Sequence, residues 1–192
     1  APRTKHVRLT LNGEYMGVYL EIEAVERGFF RRRGIGAQSL FYAINEEADF
    51  RAPAQSNPLY GYEHRFGGSA EKEKLVAFIR SLHRTSALPA AFFASRVDTD
   101  NYLTWLAGAV LTGNYDGFDQ NFSLYRHRAS GKWRMVPWDY EGTWGRNCFG
   151  KLVPSDLVSV AGYNHLTAKM LRHRIYVRTY KEKLQRALQS RF

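Results

Sequence analysis

The residues best suited to chemistry lie in two short polar stretches, N-Y-D-G-F-D-Q-N at 114–121 and W-D-Y-E-G-T-W-G at 138–145. Both contain glycine and both follow an apolar segment, which is typical of loops at the ends of buried elements. The first stretch holds Asp116 and Asn121, and the second holds Asp139. Carboxylate and amide oxygens suit Mg²⁺, which takes one or two carboxylates together with phosphate oxygens and water. The two stretches therefore predict a magnesium site if they meet in the fold.

The segment between these stretches predicts a tight hairpin that makes them meet. Two β-rich runs, 122–127 and 133–137, are separated by a short turn. A hairpin returns its two ends to one place, so we expect Asn121 and Asp139 to lie within a few ångströms of each other, with Asp116 facing them. In protein kinases, an Asp, a nearby Asn and a later Asp orient the acceptor hydroxyl and hold metal against the phosphates.

Each of these residues also has an ordinary structural interpretation. Asp116-Gly117 is a favoured turn dipeptide, and Asn121 fits a buried turn. Asp139 could pair with one of the many arginines. Only the joint spacing and the hairpin between the two stretches favour the metal site.

The surrounding pattern predicts an α+β domain that positions these loops. Residues 7–11 alternate apolar and polar, Asn12-Gly13 supplies a hairpin turn, and 15–25 is rich in β-formers. Residues 45–68 are polar and contain Pro and Gly, which favours a long loop. The same patterns predict helices at 26–33, 70–83, 88–96, 101–111 and between 166 and 188, and a strand at 39–44.

Composition narrows the function classes. A chain of 192 residues with 44% hydrophobic residues forms one domain with a substantial core. The net charge of +10 favours anionic partners such as nucleotides, acidic proteins or nucleic acid. Nucleic acid is the least favoured, because no recognised binding module is present. The single cysteine, Cys148, excludes an internal disulfide, and no apolar run approaches the roughly 20 residues that span a bilayer.

Two blocks of the sequence, roughly 7–33 and 97–145, resemble the CotH family of spore-coat kinases, which are atypical protein kinases. They include the runs N-G-E-Y-M-G-V-Y-L-E and G-N-Y-D-G-F-D-Q-N-F. The resemblance implies a single domain over 1–192 with an atypical protein-kinase-like fold. Residues 1–25 would be a partial N-lobe hairpin and hinge, and 26–192 a mainly helical C-lobe. We expect the chain to be a fragment without the upstream N-lobe strands and their phosphate-gripping lysine, and therefore uncertain in activity.

The resemblance also implies roles for the residues of the two polar stretches. Asp116 would be the catalytic aspartate, and Asn121 and Asp139 would hold Mg²⁺ or Mn²⁺. Glu141 stands where the family often has another acidic residue. It is either a further metal ligand or a surface carboxylate.

An ATP-binding hinge is implied at Glu23, Ala24 and Val25, whose backbone groups would hydrogen-bond adenine. The implied function is ATP- and Mg²⁺-dependent phosphorylation of Ser or Thr in protein substrates, which would be coat proteins if the chain is bacterial. The implied location is the spore coat or cell surface. The alternative is a non-catalytic coat or adhesion module, because fungal members of the family attach to host receptors.

Overall fold

The computed structural model describes residues 1–147, 149–154 and 159–190, so Cys148 lies outside the described residues. Six α-helices and six strands in two antiparallel sheets make up this part of the chain, which confirms the α+β class. The elements are β1 Thr4–Leu11, β2 Glu14–Ile22, α1 Arg27–Arg32, β3 Ala37–Ala43, β4 Tyr62–Phe66, α2 Ser69–Leu82, α3 Ala90–Arg96, α4 Thr99–Leu111, β5 Phe122–His127, β6 Trp133–Pro137, α5 His165–Met170 and α6 Arg174–Gln189. The predicted helices are confirmed, and the division into an N-lobe and a C-lobe stays a prediction.

The first hairpin is a sheet of its own. β1 pairs only with β2, and Asn12 and Gly13 take the positive φ angles, 50° and 87°, that a two-residue hairpin turn favours. Nearly every residue of both strands is exposed. Glu23, just after β2, ties the hairpin to α1 because its carboxylate accepts hydrogen bonds from Arg32 and Arg33.

The second sheet has the strand order β4-β3-β5-β6, and every neighbouring pair is antiparallel. Side chains alternate between its faces, as a pleated strand requires. Phe41, Phe122 and Leu124 join the large core that includes α2 and α4. Leu40 and Tyr125 join a smaller cluster that includes α1. The sheet is therefore covered by helices on both faces.

β4 was not predicted, because the segment 45–68 was interpreted as one polar loop. Tyr62 and Phe66 are buried while Glu63 and Arg65 between them are exposed, so the period of two is present over five residues. The strand begins after Gly61, where an added Cβ would lie 2.7 Å from a backbone nitrogen across the loop. The loop prediction is wrong at this end, since pairing with β3 overrides the polar composition.

A buried hydrogen-bond network anchors the 114–121 loop to the C-terminal helices. The Tyr102 hydroxyl of α4 contacts Asn164 at 3.0 Å and Thr167 at 2.7 Å. The Asn164 amide also donates to the Phe118 carbonyl at 2.9 Å. Asn164 caps α5 at the same time. Among the described helices, none is both long and apolar enough to cross a membrane.

Candidate functional site

The 114–121 loop is held at both ends by buried side chains. Asn114 is fully buried, and a Cβ at Gly117 would collide with its amide, so only glycine fits at that position. Phe118 is also fully buried. Asp116 lies between these anchors and is half-buried. Its position is therefore set by the core rather than by solvent.

Asp116 and Asn121 are in direct contact. The Asn121 side-chain nitrogen donates to Asp116 Oδ2 at 3.1 Å, and the Asn121 backbone N–H donates to the Ala43 carbonyl at 3.1 Å. Asn121 has a φ of 56°, a conformation that asparagine tolerates better than most residues. The other oxygen of Asp116, Oδ1, is shielded from solvent and accepts no hydrogen bond within the described residues. Burial is the main cause that raises the pKa of Asp116, followed by the charge of Glu141.

The β5–β6 hairpin brings Asp139 to the same place, as the sequence analysis predicted. Phe122 pairs with Pro137, so Asn121 and the 138–145 loop leave the hairpin at the same end. A hydrogen bond with Glu141 is the main cause that raises the pKa of Asp139 to about 7, and burial and the charges of Glu141 and Asp116 add to it. Asp139 therefore binds its proton more tightly than an ordinary aspartate does.

The loops close tightly on each other. An added Cβ at Gly142 would lie 2.9 Å from the Tyr115 ring and 3.2 Å from Asp116 Oδ1. The 138–145 loop therefore packs directly against the side chain of Asp116. Such contact makes the position of each loop depend on the other.

The charges of Asp116 and Asp139 decide whether a divalent cation would fit at these loops. Burial or neighbouring carboxylates raise the pKa values of Asp116 and Asp139, and no cationic side chain among the described residues offsets them. A cation held by Asn121 and Asp139 would offset this negative charge. No group of three or more His, Cys, Asp or Glu side chains in the described chain is placed to hold a metal. Mg²⁺ needs only one or two protein carboxylates when phosphate and water supply the other ligands, so binding of Mg²⁺ at Asn121 and Asp139 stays a prediction.

Asp119 was missed by the sequence analysis. Its pKa is raised to about 6, mainly by burial and then by the charges of Asp49, Asp116 and Glu46. Its Oδ1 atom, like that of Asp116, has no hydrogen-bond partner within the described residues. Its place in the same loop was a signal in the sequence, but the approach of the charge of Asp49, seventy positions away, was not. The acidic region is therefore larger than the two predicted stretches.

The predicted hinge residues are placed between the first hairpin and α1. Glu23 forms ion pairs with two arginines, so the pKa of its carboxyl lies well below the usual range. The Ala24 carbonyl accepts the Glu26 N–H at 3.0 Å. Val25 is buried, and its carbonyl accepts the Tyr42 hydroxyl at 2.7 Å. Contact with adenine at these residues stays a prediction.

Comparison with known proteins identifies the class. A family model described as CotH kinase protein matches residues 1–192, and the chain belongs to this family. One relative is the inner spore coat protein H of Bacillus subtilis (strain 168), which is 35% identical over 202 residues. The match covers 100% of this chain and 55% of that protein, so the chain spans about half the length of this curated relative.

Proposed function

We propose that the chain is the catalytic part of a kinase-like protein that uses ATP and Mg²⁺, or Mn²⁺, to phosphorylate Ser or Thr side chains of proteins. The observation that carries this proposal is the meeting of Asp116, Asn121 and Asp139 at one end of the β5–β6 hairpin without a cationic partner among the described residues. Membership of a family described as kinases supports the same conclusion.

The contacts suggest a chemical role for each residue. Asn121 already donates its amide N–H to Asp116, so its amide oxygen is the atom left to bind a metal. Asp116 would orient the acceptor hydroxyl and accept its proton. Bound Mg²⁺ would offset the negative charge of Asp139 and of the ATP phosphates. Glu141 would add charge to the same site.

Adenine would bind the hinge through the backbone. The carbonyls of Ala24 and Val25 already accept hydrogen bonds, whereas the Glu23 carbonyl accepts none within the described residues. That carbonyl is the available acceptor for an adenine amino group. The Glu23 side chain would act only to hold the hairpin on α1.

The name of the relative suggests a location and a class of substrate for this chain. Because that protein is an inner spore coat protein, we extend the coat location and coat-protein substrates to this chain as part of the proposal.

A second candidate function is a non-catalytic module of coat assembly or adhesion. The β1–β2 hairpin supports it, since Leu11, Val18 and Leu20 are 58%, 63% and 50% exposed. Exposed apolar side chains gathered on one hairpin favour an interaction site. This candidate requires no nucleotide.

Calorimetric titration of Mg·ATP into the chain tests the proposal. Asp139→Asn should abolish Mg²⁺-dependent binding. Asp100→Asn is the matched control, because Asp100 is an exposed aspartate of α4 that pairs with Lys183, and it should bind as the wild type does. Equal binding by wild type and Asp139→Asn would refute the site. Absence of binding by a folded wild-type chain has two explanations, the upstream strands that the resemblance implies or an assembly module, and a titration with those strands restored separates them.

A further inference from the structure

Tyr42 contacts both ends of the proposed nucleotide site. Its hydroxyl donates to the Val25 carbonyl of the predicted hinge at 2.7 Å. Its ring stacks on Trp138, with centroids 6.0 Å apart and planes inclined by 15°. Trp138 directly precedes Asp139. A single side chain therefore touches the segment predicted to bind adenine and the segment predicted to bind metal.

Arg65 holds the same tyrosine against the hinge from a second direction. Its guanidinium carbon lies 4.9 Å from the centre of the Tyr42 ring, within the range of a cation–π contact. Arg65 also donates to Glu26 at 2.8 Å. Since Glu26 follows Val25, the hinge is tied to Tyr42 through a hydrogen bond and through an arginine bridge.

The sheet fixes the position of Tyr42. β3 lies between β4 and β5, and Tyr42 pairs with Glu63 on one side and Ser123 on the other. The hinge and the 138–145 loop are both irregular, by contrast. A residue in a doubly paired strand is the more rigid reference for two irregular segments.

We propose that Tyr42 is a positioning residue of the nucleotide site: its hydroxyl holds the Val25 carbonyl and its ring holds Trp138, so that the hinge and the metal-binding loop keep a fixed separation. This inference rests on the proposed function. One nucleotide must reach the hinge with its base and the metal with its phosphates, so the separation of the two segments affects how well it binds.

Two substitutions separate the two contacts. Tyr42→Phe keeps the ring and removes the hydroxyl, while Tyr42→Leu removes both. Tyr176→Phe is the matched control, because the Tyr176 hydroxyl on α6 also donates to a backbone carbonyl, that of Ala90, at 2.7 Å. It loses the same kind of hydrogen bond away from the hinge.

Hydrogen–deuterium exchange of the full chain tests the contacts directly, without nucleotide. Loss of one neutral hydrogen bond corresponds to about a three- to tenfold change in local opening. Tyr42→Phe should raise exchange by that factor in residues 23–26 and leave 138–142 unchanged. Tyr42→Leu should raise exchange in both segments, and Tyr176→Phe in neither.

Nucleotide measurements then test the positioning role. For intrinsic Mg·ATP hydrolysis, Tyr42→Phe should raise the KM for ATP about three- to tenfold and keep kcat within about twofold. Tyr42→Leu should also lower kcat, because Trp138 no longer steadies Asp139. Tyr176→Phe should match the wild type in both constants.

Three results would overturn the inference: unchanged exchange at 23–26 in Tyr42→Phe, unchanged exchange at 138–142 in Tyr42→Leu, or equal effects in Tyr176→Phe. Failure of the wild-type chain to bind Mg·ATP would refute the proposed function. The exchange experiment would still decide whether Tyr42 links the two segments.

Discussion

Replacing Asp139 by Asn should make the metal-free chain more stable at pH 8, although it removes a residue of the proposed site. The reason is the environment of Asp139: a hydrogen bond with Glu141, then burial and the negative charges of Glu141 and Asp116, raise its pKa from 3.8 to about 7. Each unit of pKa corresponds to about 1.4 kcal/mol, so the full effect would be about 4 kcal/mol. Because the carboxyl is largely exposed, solvent screening reduces the expected gain to about 1–2 kcal/mol.

The gain in stability of Asp139→Asn over the wild type should increase with pH. A carboxyl whose pKa is higher in the folded state binds its proton more tightly there, so its contribution to stability is greatest below pH 3.8 and falls as pH rises towards about 7. Asn carries no charge in either state. The difference between Asp139→Asn and the wild type should therefore be near zero at pH 4, grow through pH 5 and 6, and level off above pH 7.

Urea unfolding in the presence of a chelator measures this difference at each pH. Glu141→Gln should give a similar gain by removing the other partner. The double variant should gain less than the sum of the two, because both substitutions relieve one repulsion. A wild-type chain that is more stable than Asp139→Asn at pH 8, or a gain that does not change with pH, would refute the reasoning.

Three other substitutions test the packing around the site. Glu71 is only 3% exposed and accepts two hydrogen bonds from Arg126, so Glu71→Gln should lower the free energy of unfolding in urea by about 3 kcal/mol. Because the pKa of Glu71 is lowered to about 2, its contribution to stability is lost as the pH falls from 4.5 towards 2. Gly142→Ala should leave the chain folded but slow Mg·ATP hydrolysis about tenfold or more, because its Cβ would lie 3.2 Å from Asp116 Oδ1; hydrolysis at the wild-type rate would contradict the contact. Gly117→Ala should cost about 1–3 kcal/mol in thermal unfolding through collision with the buried asparagine amide, and an unchanged midpoint would contradict it.

The parts of the fold that sequence reasoning found are those with local signals. Asn12-Gly13 specifies its own turn, and the β5–β6 hairpin brings Asn121 and Asp139 together within one short stretch of chain. Asp98 caps α4 through the N–H of a residue three positions later. These features depend on neighbours in sequence, so the pattern of residue types was enough to predict them.

The parts that were missed depend on contacts between distant residues. β4 exists because it pairs with β3, although its own composition is polar. Asp119 belongs to the acidic site because the fold buries it and brings it within the electrostatic influence of Asp49. Tyr42 lies seventeen positions from Val25 and contacts it only after the sheet has formed. The spacing of residues along the chain carries no information about contacts between such distant residues.

Two carboxyl groups of this chain have opposite electrostatic environments and opposite pKa shifts. Glu71 receives hydrogen bonds from Arg126, Lys74 and Ser39, and its pKa falls to about 2. Asp139 faces another carboxylate, and its pKa rises to about 7. The chain has 28 Lys and Arg residues against 18 Asp and Glu, so cations for pairing are plentiful. In the part of the chain that the structure describes, no cationic side chain is among the causes that shift the pKa of Asp139, which supports the proposal that this carboxyl binds a cation from solution.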